Sequence, residues 1–276
     1  MKNLIKKIPH NTLIILLALA LTACQSFSGN SIEAKAEGQL KVISSGGFAA
    51  AYDVLGPQFE QQTGIKLETA YGSSSGGAYD SIPVRLARGE VFDVIILSQS
   101  SLNNLNSKGE VDSESRVDLV HSVIGMAVKS GAEKPDITTK EAFIETLLEA
   151  ESIGYSASAS GTYLSGVLFP EMGIWDRIKP KSKRILSERV ASVVARGEVE
   201  IGFQQVSEIL PIEGVDYVGQ IPAELQKTTT FSAAITKRAL NKSDAKRLLD
   251  YLSSRQVAPI IVSTGLKPVV LESNIQ

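Results

Sequence analysis

The chain alternates short apolar segments, which are typical of strands, with longer segments of helical periodicity. Residues 40–45 (LKVISS) are an apolar strand that leads into two glycines, and residues 49–63 repeat apolar positions at helical spacing. Gly64 ends that helix, because an αL cap favours a residue without Cβ. An alternating strand follows at 65–71, and residues 91–98 (VFDVIILS) form an almost continuous apolar strand of the kind buried on both faces. This alternation predicts parallel βαβ units.

One helix-to-strand connection occurs twice. Residues 86–97 (LARGEVFDVIIL) are matched by residues 194–205 (VARGEVEIGFQQ): a helix ends in Ala-Arg, glycine caps it, glutamate follows, and a strand begins. The repetition is either a common connection used twice or the mark of two similar α/β lobes that direct strand ends toward a shared cleft. Between the copies, residues 116–131 form a long extended stretch, as expected where a chain crosses between lobes.

The pattern as a whole predicts an α/β protein with two lobes. Each lobe is expected to be a mostly parallel sheet flanked by helices, with a ligand cleft between the lobes. We expect residues 39–120 and 232–276 in the first lobe and residues 121–231 in the second. The capped helix that begins near residue 243 would return the chain to the first lobe. We expect the protein to be a monomer.

The N-terminus has the features of an export signal. Three lysines precede a short apolar run, and residues 21–24 read LTAC. The apolar run is too short to span a bilayer. We therefore expect residues 1–23 to be a signal peptide and residues 24–38, which are polar and small, to be a tether.

Cys24 is the only cysteine of the chain, so it cannot form an internal disulfide. The LTAC sequence resembles the bacterial lipobox, which implies lipidation of Cys24. The alternative is a free thiol in an ordinary signal. In a Gram-negative host, Gln25 after the cysteine resembles the pattern that sorts lipoproteins to the outer membrane.

Charge limits the class of partner. The chain has 276 residues, 43% of them hydrophobic and 21% charged, as in soluble globular proteins. Its net charge is −2, and removal of the signal's three lysines makes it −5. A mildly acidic chain without a basic stripe argues against nucleic acid as a partner. An anionic ligand would therefore have to be attracted locally, by a few donors.

Three loops of small hydroxyl and glycine residues lie where a strand leads into a helix: residues 44–48 (SSGGF), 72–77 (GSSSGG) and 155–161 (YSASASG). Ligands of open α/β sheets bind beyond the carboxyl ends of strands, where helix N-termini present free N–H groups. No loop carries a nucleotide-binding motif. Together the loops predict a cleft for a small anion.

Pro83 divides the second of these loops from a short helix, because proline is favoured at the start of a helix. Ser81 or Ile82 would cap that helix, and Arg85 would lie in its first turn. A guanidinium binds a carboxylate through two parallel hydrogen bonds. Arg85 is therefore a candidate carboxylate ligand, with a surface arginine as the alternative.

Candidates for acid–base chemistry are few. Tyr79, Asp80 and Tyr163 lie in or beside the hydroxyl loops, although a tyrosine in a loop is more often a packing residue. The sequence has no Ser/His/Asp constellation and no cluster with metal-ligand spacing, so it favours neither a hydrolase nor a metal site.

The chain resembles periplasmic solute-binding proteins of the type II fold and is similar to the molybdate-binding proteins of ABC transporters. The resemblance covers residues 39–269 and rests on KVISSGGFAAAY, PQFEQQTGIKL, the GSS loop and ARGE-x-x-DVIILS. It implies a receptor that binds a small anion, such as an oxyanion or an organic carboxylate, for an ABC permease.

Three features depart from the molybdate-binding pattern. Gly47 stands where those receptors have a serine, residues 76–83 (GGAYDSIP) interrupt the helix after the GSS loop, and Gln204 replaces a tyrosine. The altered pattern resembles a branch that includes bacterial aconitate isomerase. That resemblance implies an enzyme that interconverts cis- and trans-aconitate by allylic proton transfer, with no cofactor. We favour the isomerase and retain the receptor as the alternative.

The residues expected to bind the ligand come from the hydroxyl loops, the short helix and the ends of two strands. They are Ser45, Gly46, Gly47, Ser73, Ser74, Ser75, Arg85, Ser98, Ser158, Ser160 and Gln204.

Overall fold

The computed structural model describes residues 39–269. The predicted signal peptide, the tether with Cys24 and residues 270–276 lie outside the described residues. Within residues 39–269, no helix is both long enough and apolar enough to cross a bilayer.

The first lobe contains a mixed sheet. Across the described part of this sheet the strands are β11 (Lys267–Pro268), β4 (Val117–Ser122), β10 (Thr229–Ile235), β3 (Val94–Ser98), β1 (Gln39–Ser44) and β2 (Lys66–Tyr71). β1 is parallel to β2 and to β3, whereas β10 is antiparallel to both β3 and β4.

The second lobe contains another mixed sheet. Its strands in order are β7 (Ser182–Ile185), β6 (Ile153–Ser156), β8 (Ile201–Gln205), β5 (Ile124–Lys129) and β9 (Val215–Gln220). β6 is parallel to β7 and β8, and β5 is antiparallel to β8 and β9. The two sheets thus repeat one order, with β3 and β8 in equivalent places. Because both ARGE segments lead into these strands, the interpretation of the repetition as two similar lobes is confirmed.

Helices cover the sheets and connect the strands. Their bounds are α1 (Gly46–Thr63), α2 (Ile82–Ala87), α3 (Gln99–Ser107), α4 (Lys140–Glu149), α5 (Ala159–Tyr163), α6 (Phe169–Glu171), α7 (Trp175–Ile178), α8 (Val190–Ala195), α9 (Val206–Ile209), α10 (Lys242–Leu252) and α11 (Ala258–Ser263). A π-helical turn at Leu164–Leu168 joins α5 to α6.

The two-lobed α/β fold is as predicted, with one correction to the sheets. We expected mostly parallel sheets, but both are mixed, because the strands that carry the chain between lobes run against their neighbours. The chain crosses after Ser122 and returns between Gln220 and Thr229. The expected boundaries, 120/121 and 231/232, fall inside β4 and β10.

Local signals set the ends of the helices that approach the cleft. α1 begins at Gly46, earlier than the predicted Ala49, and ends as predicted at Gly64, which adopts φ 72°. Ser81 is the N-cap of α2 and Pro83 lies in its first turn, so that prediction is confirmed.

The cores hold the strand ends in fixed positions. Every residue of β3 and of β8 is buried, so each strand is packed on both faces as its apolar sequence predicts. In the first lobe Phe48, Tyr52 and Phe59 of α1 pack against this sheet. In the second lobe Phe203 of β8 lies edge-on to Phe143 at a ring distance of 5.7 Å. Loops at the strand ends therefore start from a rigid frame.

Asp93 stabilises the first lobe by binding β1 and the segment before α10. Its carboxylate is 3% exposed and accepts backbone N–H groups from Lys41 at 2.9 Å, Leu240 at 2.7 Å and Asn241 at 3.2 Å. Asp93→Asn would turn an NH₂ group toward these donors, so we expect about 3 kcal/mol less free energy of unfolding in urea. Asp250→Asn, at an exposed pair with Lys246, should cost less than about 0.5 kcal/mol. Equal losses would contradict the role of Asp93.

Candidate functional site

A cleft of about 240 Å³ lies between the lobes, at the carboxyl ends of strands from both sheets. The three hydroxyl loops of the sequence meet there, as predicted, and are joined by the segments after β7 and β8. The residues that line the cleft are Gly46, Gly47, Ala49, Tyr71, Gly72, Ser73, Ser74, Asp80, Ser156, Ala157, Ser158, Ala159, Ser160, Ile185, Leu186, Ser187, Glu188, Arg189, Gln204, Gln205, Glu208 and Phe231.

The two walls of the cleft touch each other. The Ser187 hydroxyl of the second lobe donates to Asp80 Oδ1 of the first at 3.3 Å. The Ser207 hydroxyl donates to the Gly47 carbonyl at 2.8 Å, where α9 packs against the start of α1. These two hydrogen bonds hold the lobes in contact beside the cleft.

Seven of the predicted ligand residues line the cleft: Gly46, Gly47, Ser73, Ser74, Ser158, Ser160 and Gln204. Some of their polar groups are already used. The Ser74 hydroxyl accepts the Ser98 N–H at 3.0 Å, and the Ser160 hydroxyl lies 3.0 Å from that of Ser156. These contacts fix the loops in place. The N–H groups of Gly46 and Gly47 have no partner within α1 and can bind a ligand.

Ser45, Ser75, Arg85 and Ser98 are the predicted ligand residues that do not line the cleft. Ser45 is the N-cap of α1, and within the described residues its buried hydroxyl has no hydrogen-bond partner. The Ser98 hydroxyl donates to that of Ser101 at 3.1 Å. Ser75 accepts through its carbonyl from Ser73 at 2.8 Å.

Arg85 is held within the first lobe. Its guanidinium donates to Glu90 Oε2 at 2.9 and 2.6 Å and to the Tyr71 carbonyl at 3.3 Å, and it lies 5.0 Å from the centre of the Phe92 ring. Glu90, the glutamate of the first ARGE segment, therefore already binds the Arg85 guanidinium that we expected to bind a ligand carboxylate. The geometry gives that role of Arg85 no support.

The three acid–base candidates occupy different places. Asp80 lines the cleft and accepts from Ser187. Tyr79 is 78% exposed, and the Arg88 guanidinium lies 3.9 Å above its ring. Tyr163 donates to the Leu225 carbonyl at 3.0 Å and packs beside the core of the second lobe. Burial raises the pKa of Tyr163.

Arg189 lines the cleft and was missed by the sequence reasoning. It is the N-cap of α8, and among residues 39–269 its side chain has no carboxylate within ion-pair distance. Its charge acts instead on Tyr71 and Glu208. The repeated ARGE segment could have indicated Arg189. When the two copies are aligned, Arg189 falls at the position of Ser81, the N-cap of α2.

Glu208, in the first turn of α9, is the second missed residue. Burial raises the pKa of its carboxyl to about 7. The Arg189 charge, the Gln204 side chain and the Gln205 backbone favour the ionised form and oppose this increase. The signal was the acidic residue that closes GFQQVSE, directly after β8.

Two glycines at the start of α1 leave room for the side chains that face them. A Cβ on Gly46 would collide with Oε1 of Glu208, and a Cβ on Gly47 would collide with the Phe231 ring. Gly47, which distinguishes this loop from the molybdate-binding pattern, is therefore required by the Phe231 ring that faces it.

Glu208 makes stability depend on pH. Its pKa is about 7 in the folded protein and 4.5 for an ordinary glutamate, so the folded state binds more protons between these values. Stability relative to Glu208→Gln is then fully present below about pH 4.5 and declines as pH rises to 7. We expect the difference to change by at most about 3 kcal/mol in urea unfolding series. A constant difference would contradict the raised pKa.

A model of the family described as bacterial extracellular solute-binding protein matches residues 40–267 of the chain. Among curated proteins, aconitate isomerase of Pseudomonas sp. is 44% identical over 251 residues, which cover 91% of this chain and 96% of the relative. The molybdate-binding protein ModA of Escherichia coli K12 is 23% identical over 83% of this chain and 89% of the relative.

Solved structures agree on the fold. The periplasmic molybdate-binding protein of Azotobacter vinelandii superposes with a TM-score of 0.66 at 21% identity, over 82% of this chain and 98% of that chain. The chain therefore belongs to the family of bacterial extracellular solute-binding proteins, and within that family it is a relative of aconitate isomerase.

Proposed function

We propose that this protein is an isomerase that interconverts cis- and trans-aconitate by moving a proton along the allylic system. The observation that carries the proposal is the 44% identity to aconitate isomerase over 91% of the chain. A shared motif would cover far less of the chain than 91%. The identity of 44% is also well above the 23% identity to the molybdate-binding protein.

The chemistry of the cleft supports a small polycarboxylate as substrate. Arg189 has no carboxylate partner among the described residues and suits bidentate binding of a substrate carboxylate. The N–H groups of Gly46 and Gly47 begin α1 and have no partner within that helix. The volume of about 240 Å³ is below the usual range for drug-sized ligands and fits a compact acid.

We propose that several of the predicted residues bind the carboxylates: Gly46, Gly47, Ser73, Ser74, Ser158 and Ser160, with Arg189 in the role first given to Arg85. These donors come from both lobes, so a bound tricarboxylate would hold the lobes together. The reaction also needs a group that removes and returns a proton. The cleft offers the carboxyl groups of Asp80, Glu188 and Glu208.

The second candidate function is that of a receptor that delivers a small anion to an ABC permease. The family match and the likeness to molybdate-binding proteins favour it. Against it stands the chemistry of Glu208: once ionised, a carboxylate inside the cleft repels an anionic solute, which gives a passive receptor no benefit.

The proposal extends to the location of the protein. Cleavage before Cys24 and lipidation of its thiol would anchor the mature chain, as a monomer, at the surface of a membrane. In a Gram-negative host, Gln25 favours the outer membrane. An enzyme can work there, whereas a receptor must reach a permease in the inner membrane.

The test is turnover. Purified protein without its signal is mixed with a large excess of cis-aconitate, and trans-aconitate is followed by proton NMR. We expect many equivalents of product per protein. Tight binding of aconitate or molybdate, with no product, would overturn the isomerase in favour of the receptor.

A further inference from the structure

Three carboxyl groups line the cleft, and two of them are engaged on its rim. Both oxygens of Glu188 accept from the Arg196 guanidinium at 3.0 Å, and the Glu188 side chain is exposed. Asp80 accepts from Ser187 at the contact between the lobes. Each of these two groups therefore already has a hydrogen-bond partner within the protein.

Glu208, the third of these carboxyl groups, has different surroundings from Asp80 and Glu188. Its carboxyl reaches across from α9 to the Cα of Gly46 at the start of α1, so it faces the loop that we propose to bind a substrate carboxylate. The charged side chain that acts on it is Arg189, from the segment before α8. From β8 it meets only the uncharged Gln204 and the Gln205 backbone. Tyr71 also lines the cleft, and its hydroxyl donates to Asp53, which is not among the lining residues.

We propose that Glu208 is the catalytic residue that moves the proton between the two carbons of the allylic system, and that Gln204 is its positioning residue. The inference rests on the proposed isomerase function.

The step is balanced without a cofactor. The Glu208 carboxylate removes a proton from the methylene carbon of aconitate: a C–H bond breaks and an O–H bond forms. The electron pair spreads over the three allylic carbons and the attached carboxylates, which Arg189 and the Gly46 and Gly47 N–H groups stabilise. The Glu208 carboxyl then donates a proton to the former vinyl carbon, and the double bond has moved to the other arm. A carboxyl that titrates near neutral pH suits both halves of this exchange.

Gln204 connects the proton-transfer group to the anion-binding group. Its side-chain oxygen accepts the Val190 N–H at 2.8 Å, next to Arg189, and its side chain also favours the ionised form of the Glu208 carboxyl. It is 3% exposed, so both contacts are shielded from water. The sequence predicts that Gln204 binds the ligand, whereas its place between Arg189 and Glu208 favours a positioning role.

The first experiment compares Glu208→Gln with Glu213→Gln, an exposed residue shortly after α9. We expect kcat of Glu208→Gln to fall by about 10²- to 10⁴-fold, with near wild-type activity in Glu213→Gln. Calorimetric binding of propane-1,2,3-tricarboxylate, which lacks the double bond, should be retained by Glu208→Gln, and thermal unfolding should show an intact fold. Wild-type turnover together with full activity in Glu208→Gln would overturn the assignment. Absence of wild-type turnover would instead overturn the proposed function.

The second experiment separates a positioning role from a structural one by the pH profile. Since the base must begin as a carboxylate, wild-type kcat/KM should decline as pH falls below about 7. Gln204→Met removes a polar side chain that lowers the pKa of Glu208, so the acid limb of its profile should move to higher pH. An unshifted limb with only a lower plateau would overturn the positioning role. A wild-type profile flat from pH 5 to 9 would overturn the assignment of Glu208.

Discussion

Arg189→Met raises KM for aconitate by about 30- to 150-fold, because a charge-assisted bidentate hydrogen bond contributes about 2–3 kcal/mol. Methionine keeps an unbranched apolar stem and removes the guanidinium with its charge. The wild-type guanidinium has no carboxylate within ion-pair distance among residues 39–269, so its loss breaks no ion pair. The fold should therefore be intact, and initial-rate kinetics measure the effect directly. Without the Arg189 charge, the pKa of the nearby Glu208 carboxyl rises further.

The matched comparison is Arg85→Met. That arginine donates to Glu90 and stacks on Phe92 within the first lobe, outside the lining of the cleft. We expect its loss to lower the free energy of unfolding by about 1 kcal/mol and to leave KM within about twofold. The reverse outcome, with affinity lost in Arg85→Met and kept in Arg189→Met, would restore the interpretation drawn from the sequence and contradict the cleft described here.

Gly46→Ala reduces kcat by about 100-fold or more. The added methyl group collides with Oε1 of Glu208, so either the carboxyl is displaced or α1 moves away from α9. A displacement of about 1 Å at a reacting group is enough for a loss of this size. Steady-state rates, with binding of propane-1,2,3-tricarboxylate measured beside them, show whether the loss lies in chemistry or in affinity.

Gly56→Ala is the control in the same helix. A methyl group there meets Leu67 and Tyr52 at 3.5–3.6 Å, which is ordinary van der Waals contact. Alanine also favours the helix over glycine by about 0.5–1 kcal/mol, so this variant should be as active as wild type and equally or more stable. Equal activity in Gly46→Ala would contradict the placement of Glu208 against the start of α1.

The fold was largely predictable because its signals are local. Apolar runs such as VIILS specify strands buried on both faces, and Gly64, Ser81 and Pro83 set helix ends within a few residues. The direction of the strands that cross between lobes was not predictable in this way. It depends on how each sheet receives the returning chain, which no local pattern specifies.

The site was only partly predictable, since hydroxyl and glycine loops mark a cleft without saying which charges enter it. Arg85 looked accessible because its partner Glu90 lies beyond the end of the helix, and only folding brings the two together. The roles of Arg189 and Glu208 become visible only when the opposite wall of the cleft is in place. Gly46, which the Glu208 carboxyl faces, comes from a segment distant in sequence. A carboxyl with a raised pKa is a property of that packing, so sequence alone does not reveal it.

The most direct test of catalysis by this cleft is the approach to equilibrium from both sides. Two samples, one of pure cis-aconitate and one of pure trans-aconitate, receive the same small molar fraction of the protein and are followed by proton NMR. We expect both samples to converge on one cis/trans ratio, at a rate proportional to protein concentration. If each isomer persists, apart from an amount no greater than the protein present, the cleft binds aconitate without turning it over and is not an active site.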